Sequence, residues 1–140
     1  MSVDYGDVRT GIAICDALEM LAAPLCVVKE TYAPKLVLKI GELIKSHNPE
    51  LIVVGKPVNM DGTSGQRAEK CLQLADLIAE QTGIQTQLWD ERMTTIEAHI
   101  ALNVTNTRGK KRKAVVDEVA ATIILQDFLN FRKNNKQTEN

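Results

Sequence analysis

The first third of the chain carries short runs of hydrophobic residues that are typical of strands. These runs cover residues 1–5, 11–15 and 23–28, and polar turn residues separate them. Three strands joined by short turns predict an antiparallel meander.

The middle of the chain changes to the helical period. Leucine and isoleucine recur at i, i+4, i+7 and i+8 around 36–44, and Pro49 follows the predicted end of that helix. The continuous apolar run at 51–54 predicts a strand that is buried on both faces. A second amphipathic pattern at 68–79 predicts another helix, which Gly83 closes.

The last third of the chain predicts one more strand, two helices and a basic loop between them. Threonine is a good first residue for the earlier of these helices, and an apolar stripe marks the later one. The expected bounds are 85–89 for the strand, 94 or 95 to about 102 for the first helix, 103–112 for the loop and 113–131 for the last helix.

The element order is therefore β-β-β-α-β-α-β-α-α, which indicates an α/β fold. We expect a mixed five-stranded sheet, made of the antiparallel meander plus two parallel strands, with helices on both faces. One domain should cover residues 1–131, and a polar tail at 132–140 should be frayed.

Composition is that of a small globular protein. A length of 140 residues suits one domain, and 44% hydrophobic residues suffice for a core. No stretch reaches the roughly 18 apolar residues of a membrane span, and no N-terminal targeting signal is visible. The cysteines, Cys15, Cys26 and Cys71, form no Cys-x-x-Cys pair, so reduced thiols and a cytoplasmic location without a membrane partner are expected.

Charge is distributed unevenly although the net charge is only −1. Residues 1–107 carry 9 basic and 14 acidic side chains, whereas residues 108–140 carry 8 basic and 4 acidic ones. This late basic run is either a solvated segment or a surface that contacts a phosphate backbone. Its members are Arg108, Lys110, Lys111, Arg112 and Lys113.

Two acids lie at positions where the pattern predicts burial. Asp4 lies in a strand that should be central to the sheet, where an unpaired charge is costly. Asp117 shares its predicted helix face with Ala120, Ala121 and Ile124. Simpler explanations exist for both, because Asp4 could cap the following turn and Asp117 could interact with the dipole of a helix that began near residue 115.

Asp90 and Glu91 follow a strand, at a place where α/β folds carry ligand sites. Adjacent residues of an extended chain point in opposite directions, so at most one of them need face Asp4, and either could instead pair with Arg92. Carboxylates that converge need a cation to offset their repulsion, and oxygen ligands without Cys or His favour Mg²⁺ or Mn²⁺. Such a centre would suit metal-assisted cleavage of a phosphodiester.

Other polar residues are candidates for contacts with nucleic acid. Lys56 and Asn59 lie in the polar loop 55–65, Arg67 begins the next helix, and Arg9 lies in the first turn. The loop does not match the Gly-x-x-x-x-Gly-Lys-Ser/Thr phosphate loop, which argues against an NTPase. An aromatic content of 4% leaves few rings for base stacking.

Four motifs together resemble a known family. They are Asp4-Tyr5-Gly6-Asp7-Val8-Arg9-Thr10-Gly11, Val53-Val54-Gly55-Lys56-Pro57-Val58-Asn59-Met60-Asp61-Gly62-Thr63, Asp90-Glu91-Arg92-Met93-Thr94-Thr95, and Lys110-Lys111-Arg112-Lys113 before Val116-Asp117. In order and spacing they resemble the YqgF/RuvX family, described as pre-16S rRNA nucleases or Holliday-junction resolvases, over about residues 1–131.

The resemblance implies a ribonuclease-H-like fold, a divalent metal and phosphodiester hydrolysis. It places the catalytic and metal-binding acids on Asp4, Glu91 and Asp117, with Asp90 as a further candidate ligand. The family's first strand normally has more apolar residues before its acid than this chain has, so either the first strand is short or the sequence starts inside a longer reading frame. The expected nucleic-acid contacts are Arg9, Lys56, Asn59, Arg67, Arg92, Arg108, Lys110, Lys111, Arg112 and Lys113.

Three functions are compatible with these residues. The leading hypothesis is processing of the 5′ end of pre-16S ribosomal RNA by a monomer or weak homodimer. The second is resolution of four-way DNA junctions, which needs two symmetric cuts and hence a dimer. The third is a nucleic-acid-binding factor without catalysis. A phosphotransferase of the sugar-kinase kind would need two such domains, and 140 residues are too few.

Overall fold

The computed structural model describes residues 1–56, 65–90 and 109–138, and within the last segment it describes the side chains of 119–134. These residues form a mixed sheet and the helices that cover it. The strands are β1 (Ser2–Asp4), β2 (Arg9–Cys15), β3 (Ala22–Lys29), β4 (Leu51–Lys56) and β5 (Gln85–Asp90), and the helices are α1 (Ala33–His47), α2 (Gln66–Thr82) and α3 (Gly109–Thr138).

The strand order is β3-β2-β1-β4-β5, which places β1 at the centre of the sheet. The first three strands pair antiparallel, and β4 pairs parallel with both β1 and β5. This arrangement confirms the predicted meander with two parallel strands. The first strand is only three residues long, as the sequence suggested.

One face of the sheet, the α1/α2 face, packs against α1 and α2. The helical stripe of α1 is fully covered, with Leu36 and Ile40 at 0% exposure, and α2 contributes Leu74 and Ile78. The residue Asn48 ends α1 in a left-handed conformation, with its amide donating to the Ile44 carbonyl. This face holds the larger of the two hydrophobic clusters described here.

The opposite face, the α3 face, packs against α3. Ala121, Ile124, Leu125, Phe128 and Leu129 are buried at i, i+3, i+4, i+7 and i+8 against Ala13 and Val53 of the sheet. Helices therefore cover both faces, as predicted. The small residues at the contact, Ala13 and Ala121, let the helix approach the sheet closely.

The last helix differs from its prediction at both ends. It begins at Gly109, so residues 109–112 are helical where a loop was expected, because lysine and arginine are good helix formers. It also continues past Phe131 to Thr138. The helix predicted between 94 or 95 and 102 lies outside the described residues. Among the helices that are described, none is both long and apolar enough to cross a membrane.

Candidate active site

The carboxyl ends of β1, β4 and β5 meet at one edge of the sheet, because these neighbouring strands are parallel. Each of them ends in a charged residue there, namely Asp4, Lys56 and Asp90. Two of the predicted acids therefore lie at a common edge, separated by the strand that carries Lys56.

The pairing register shows which face each acid occupies. Val3 pairs with Val54, Val54 pairs with Leu88, and all of them pack in the cluster of the α1/α2 face. Side chains alternate along a strand, so Asp4 is directed to the α3 face. Asp90 lies two positions after Leu88, which directs it to the α1/α2 face, away from Asp4.

A buried hydrogen bond joins the α3 face to the helix above it. The Ser2 hydroxyl, at 0% exposure, donates to the Ala121 carbonyl over 2.6 Å. The helix runs opposite to β1, since its later residues Phe128 and Arg132 lie with Met1 at the amino end of the sheet. From Ser2, two residues forward along β1 lead to Asp4, a distance of about 6 Å. From Ala121, four residues back along α3 lead to position 117, which is about the same distance in the same direction.

That register brings residue 117 of the helix to the edge where Asp4 lies. Residues four apart on a helix share a face, so position 117 lies on the face that Ala121 presents to β1. Its side chain is outside the described part of the chain. Because α3 begins at Gly109, position 117 lies more than two turns inside the helix. The helix-dipole explanation for an acid there does not hold, since that effect is confined to the first turn.

Glycines border Asp4 on both neighbouring strands. Its partner on β2 is Gly11, and Gly55 follows Val54, the β4 partner of Val3. The half-buried carboxylate therefore has no side chain beside it on either adjacent strand at its own level of the sheet.

Arg9 lies on the same face as Asp4, as its alternation with Gly11 and Ala13 requires. Its Nε atom is buried and has no hydrogen-bond partner among the described residues. A buried donor without an acceptor is costly, so this guanidinium is suited to an anion that arrives with a ligand. The prediction that Arg9 contacts nucleic acid is compatible with this position.

The turn between β1 and β2 is tightly packed. A side chain at Gly6 would place its Cβ 1.9 Å from the carbonyl oxygen of Arg9, so only glycine fits. The Gly6 amide donates to the Oγ1 of Thr10 over 3.4 Å, and Thr10 is fully buried. The chain that follows Asp4 is thus constrained within two residues of the acid.

Arg67 is engaged by this same turn. Its Nη1 lies 2.5 Å from Oδ1 of Asp7, its Nη2 donates to the carbonyl of Tyr5, and its guanidinium lies 5.2 Å from the centroid of the Tyr5 ring. The sequence suggested that Arg67 contacts nucleic acid. In the structure its donors are already directed at protein groups.

Only some of the other residues predicted to contact nucleic acid lie among the described residues. Lys56 is the last residue of β4. In the register of β4 and β5 it lies opposite Asp90, on the α1/α2 face. The backbone of the basic segment forms the beginning of α3, and its side chains are outside the described residues: Lys110, Lys111, Arg112 and Lys113. Four predicted residues lie wholly outside the described residues, namely Asn59, Glu91, Arg92 and Arg108.

The ligand chemistry at this edge is that of oxygen donors. No group of three or more His, Cys, Asp or Glu residues that could hold a metal occurs among the described residues, of which Asp4 is one. The described soft ligands lie elsewhere: Cys71 is buried between α1 and α2, and Cys15 and His47 line a cavity of about 790 Å³ at the opposite end of the sheet. Carboxylate oxygens such as those of Asp4 are the ligands that a hard divalent cation prefers.

Most perturbed groups among the described residues lie away from this edge; Glu30, whose amide donates to the Val8 carbonyl of the β1–β2 turn, lies near it, and the backbone amide of Tyr32 lowers the pKa of its carboxyl. Burial raises the pKa of the Cys15 thiol, which keeps it protonated near neutrality. The backbone amides of Met20 and Leu21 lower the pKa of Asp16 at the tip of the β2–β3 hairpin. The shifts of Cys15 and Asp16 belong to the opposite end of the molecule.

Sequence reasoning missed Ser2 and the contacts of Arg67. A small polar residue two positions before Asp4, on the same face of a buried strand, was the available signal for Ser2. Arg67 carried no comparable signal, because its partners Tyr5 and Asp7 lie about 60 positions away in the sequence.

Known proteins resemble this chain in sequence and in fold. The model of the RuvX family, described as Holliday junction resolvase, matches residues 1–131. A relative from Halothermothrix orenii, named "Putative pre-16S rRNA nuclease", is 42% identical over 132 residues, which is 94% of each chain. A protein of the same name from Carboxydothermus hydrogenoformans is 38% identical over 135 residues, 96% of this chain and 98% of that one.

Solved structures share the architecture at much lower identity. RuvC of Thermus thermophilus, solved with a Holliday junction substrate, superposes with a TM-score of 0.58 at 15% identity, covering 94% of this chain and 93% of that one. This likeness supports the ribonuclease-H-like fold alone. The family match and the two relatives extend over nearly the whole chain, and this protein belongs to the RuvX family.

Proposed function

We propose that this chain is a divalent-metal-dependent nuclease that hydrolyses phosphodiester bonds in structured nucleic acid, with pre-16S ribosomal RNA as its substrate. The names of the relatives supply the substrate class. The observation that carries the catalytic part is the register of α3 on β1, set by the bond between Ser2 and Ala121. This register supports an alignment of position 117 with Asp4 at the edge where the parallel strands end.

The acids of the centre are Asp4, Asp117 and Glu91. Asp90 points to the α1/α2 face, away from Asp4, so the acid from this pair is assigned to Glu91, as the family resemblance implies. Three carboxylates that converge repel one another unless a cation is bound. The set is therefore suited to hold Mg²⁺ or Mn²⁺, which would activate water and stabilise the leaving oxygen.

The surrounding residues bind and orient the substrate. Arg9 offers a buried donor without a partner on the face of Asp4, so it is placed to receive a phosphate oxygen. The basic residues at the beginning of α3 precede Asp117 by one to two turns, so the same helix supplies an acid and a cationic segment. Contacts of this kind position the backbone without reading the sequence.

The test is cleavage of a pre-16S RNA fragment with Mg²⁺ or Mn²⁺ by the wild type and by Asp4→Asn and Asp117→Asn. Each substitution removes one carboxylate that holds the cation, so cleavage should fall by about a thousand-fold or more. The melting temperature should be unchanged or higher, because like charges no longer repel.

The matched control is Asp76→Asn, which removes an exposed carboxylate from α2 and should leave cleavage unchanged. Cleavage that survives Asp117→Asn, or that persists when the divalent ions are chelated, would refute the proposed centre. Binding of RNA without any cleavage by the wild type would instead favour a binding factor.

Resolution of four-way DNA junctions is a second candidate, since the family description names it and RuvC with its junction shares the fold. The same acids would serve both reactions, so only the substrate separates them. Cleavage of a junction and of the RNA fragment should be compared at equal enzyme concentration. Symmetric cuts require two active sites, so a strictly monomeric mass with bound junction argues against resolution.

A further inference from the structure

Arg67 makes three contacts to the four residues that connect β1 to β2. Nη1 contacts the carboxylate of Asp7 at 2.5 Å, Nη2 donates to the Tyr5 carbonyl, and the guanidinium lies 5.2 Å from the centroid of the Tyr5 ring. The planar, forked guanidinium is the side chain that can make all three contacts at once. Its own exposure is 34%, compared with 77% for Asp7.

The contact with Tyr5 matters most because Tyr5 follows Asp4 directly. Asp4 is the last residue of β1, so strand pairing holds the backbone on one side of it only. On the other side, the direction of the chain depends on the peptide that Arg67 holds. Gly6, which is packed against the Arg9 carbonyl, allows the turn little freedom to compensate.

Arg67 also links two segments of the candidate site. It is the second residue of α2, which is the next described element after β4 along the chain. The contact therefore ties the beginning of α2 to the end of β1. No other side chain of α2 contacts this turn through a salt bridge or hydrogen bond given for the described residues.

We propose that Arg67 is a positioning residue, which holds the Tyr5 peptide and the Asp7 carboxylate and thereby sets the direction of the Asp4 carboxylate. This inference rests on the proposed function, since the rate of cleavage is its main measure. The alternative role for Arg67 is a direct contact with a substrate phosphate. Nη1 and Nη2 each already contact a protein acceptor, the Asp7 carboxylate and the Tyr5 carbonyl.

The deciding variant is Arg67→Lys, which keeps the positive charge and loses the fork. A lysine ammonium cannot reach the Tyr5 carbonyl and the Asp7 carboxylate in the same geometry. We expect kcat to fall by about 10- to 100-fold, with KM unchanged, because a misplaced catalytic group lowers the rate more than binding. Affinity for the RNA fragment, measured with the divalent ions chelated, should equal that of the wild type.

The second variant, Arg67→Gln, removes the charge as well. Positioning predicts the same fall in kcat as for lysine, and the same dependence of binding on salt as in the wild type. A phosphate contact predicts weaker metal-free binding, and a salt dependence that is lower by about one unit of slope. That second pattern would overturn the proposal, as would an unchanged kcat in Arg67→Lys.

The matched control is Lys70→Gln, which removes the same charge from an exposed position one turn later on α2. It should leave kcat unchanged. If the Arg67 variants do not fold, Asp7→Asn tests the same contact from an exposed residue. It should lower kcat by a smaller factor at constant metal-free affinity, and an unchanged kcat there would refute the proposal.

The two proposals fail in different ways. A wild-type protein that cleaves no substrate contradicts the proposed function. A wild type that cleaves, together with Arg67→Lys at full kcat, contradicts only the role of Arg67. A lower melting temperature with full kcat per folded molecule assigns Arg67 to stability alone and also overturns the inference.

Discussion

The two faces of the sheet are built differently. The α1/α2 face is filled by large aliphatic side chains from two helices, such as Leu36, Ile40 and Ile78. The α3 face has small residues at its contact, Ala13 and Ala121, and hydrogen bonds that fix the helix in one register. The first arrangement suits stability, whereas the second suits the alignment of particular residues along the helix and the sheet.

Polar contacts at the hairpin reinforce this difference. Gln126 of α3 accepts a hydrogen bond from the Ala22 amide over 2.9 Å and donates to the Met20 carbonyl over 3.0 Å. Together with the bond from Ser2 to Ala121, these contacts hold α3 at two levels of the sheet. Hydrophobic packing is tolerant of small slips, and directional hydrogen bonds are not. These bonds would hold α3 in the register that the proposed centre of Asp4 and Asp117 requires.

The largest expected effect on stability belongs to the α1/α2 face. Ile78→Ala empties part of a fully buried site and should lower the free energy of unfolding by about 2–5 kcal/mol. Urea denaturation measures this loss. Cleavage per folded molecule should match the wild type, because α2 at this position lies far from the edge. A strong loss of cleavage in the folded variant would remove the distinction between the faces.

A matched pair of enlargements tests the distinction directly. Ala121→Leu and Ala75→Leu place the same side chain into buried positions on opposite faces, and each should cost about 1–3 kcal/mol of unfolding free energy. Only Ala121→Leu should also abolish cleavage, because it moves α3 away from β1 and separates Asp117 from Asp4. Equal losses of cleavage in both variants would contradict our assignment. The measurements are urea denaturation and single-turnover cleavage.

A smaller change removes only the bond between β1 and α3. Ser2→Ala deletes the donor to the Ala121 carbonyl and should lower the unfolding free energy by about 1 kcal/mol. The Ala121 carbonyl keeps its hydrogen bond within the helix, but α3 is held less firmly in its register on β1. We therefore expect the rate of cleavage to fall, with KM unchanged. Gln126→Leu is the companion variant at the hairpin. Full cleavage in the double variant would show that packing alone maintains the register.

The smallest expected effect is a pH dependence at the hairpin tip. The amides of Met20 and Leu21 lower the pKa of Asp16, so its ionised form is favoured by folding. The stabilisation from ionised Asp16 is fully present above the pKa of the unfolded state, about 4. It is lost as the pH falls through the lower pKa of the folded state. Asp16→Asn should flatten the acid side of the melting-temperature profile. An unchanged profile would show that the hairpin tip does not add to the stability of the α3 face.

Much of the architecture was predictable because its signals are local. Alternation and helical period located β2, β4, α1 and α2 to within a few residues. The beginning of α3 could not be predicted in this way. Its polar, glycine-containing sequence is compatible with a loop, but its lysine and arginine residues are also good helix formers.

The candidate site divides in the same way. The prediction for Asp117 rests on the apolar face that it shares with Ala121 and Ile124, both of which are buried in the structure, and its role stays a proposal. The contacts of Ser2 and Arg67 could not be predicted, because their partners lie 119 and about 60 positions away. Which side chains meet over such distances depends on the register of whole elements, and no local pattern encodes that register.

The central position of β1 also has a consequence for synthesis of the chain. The first strand is made first, but its partner β4 begins about 50 residues later and its bond to α3 joins residues 119 apart. Contacts of such high sequence separation form late, so the middle of the molecule must wait for the last helix to leave the ribosome. A nascent chain that carries Asp4 but lacks α3 has no assembled centre. If the proposed centre is correct, the order of translation delays hydrolysis until α3 has been made.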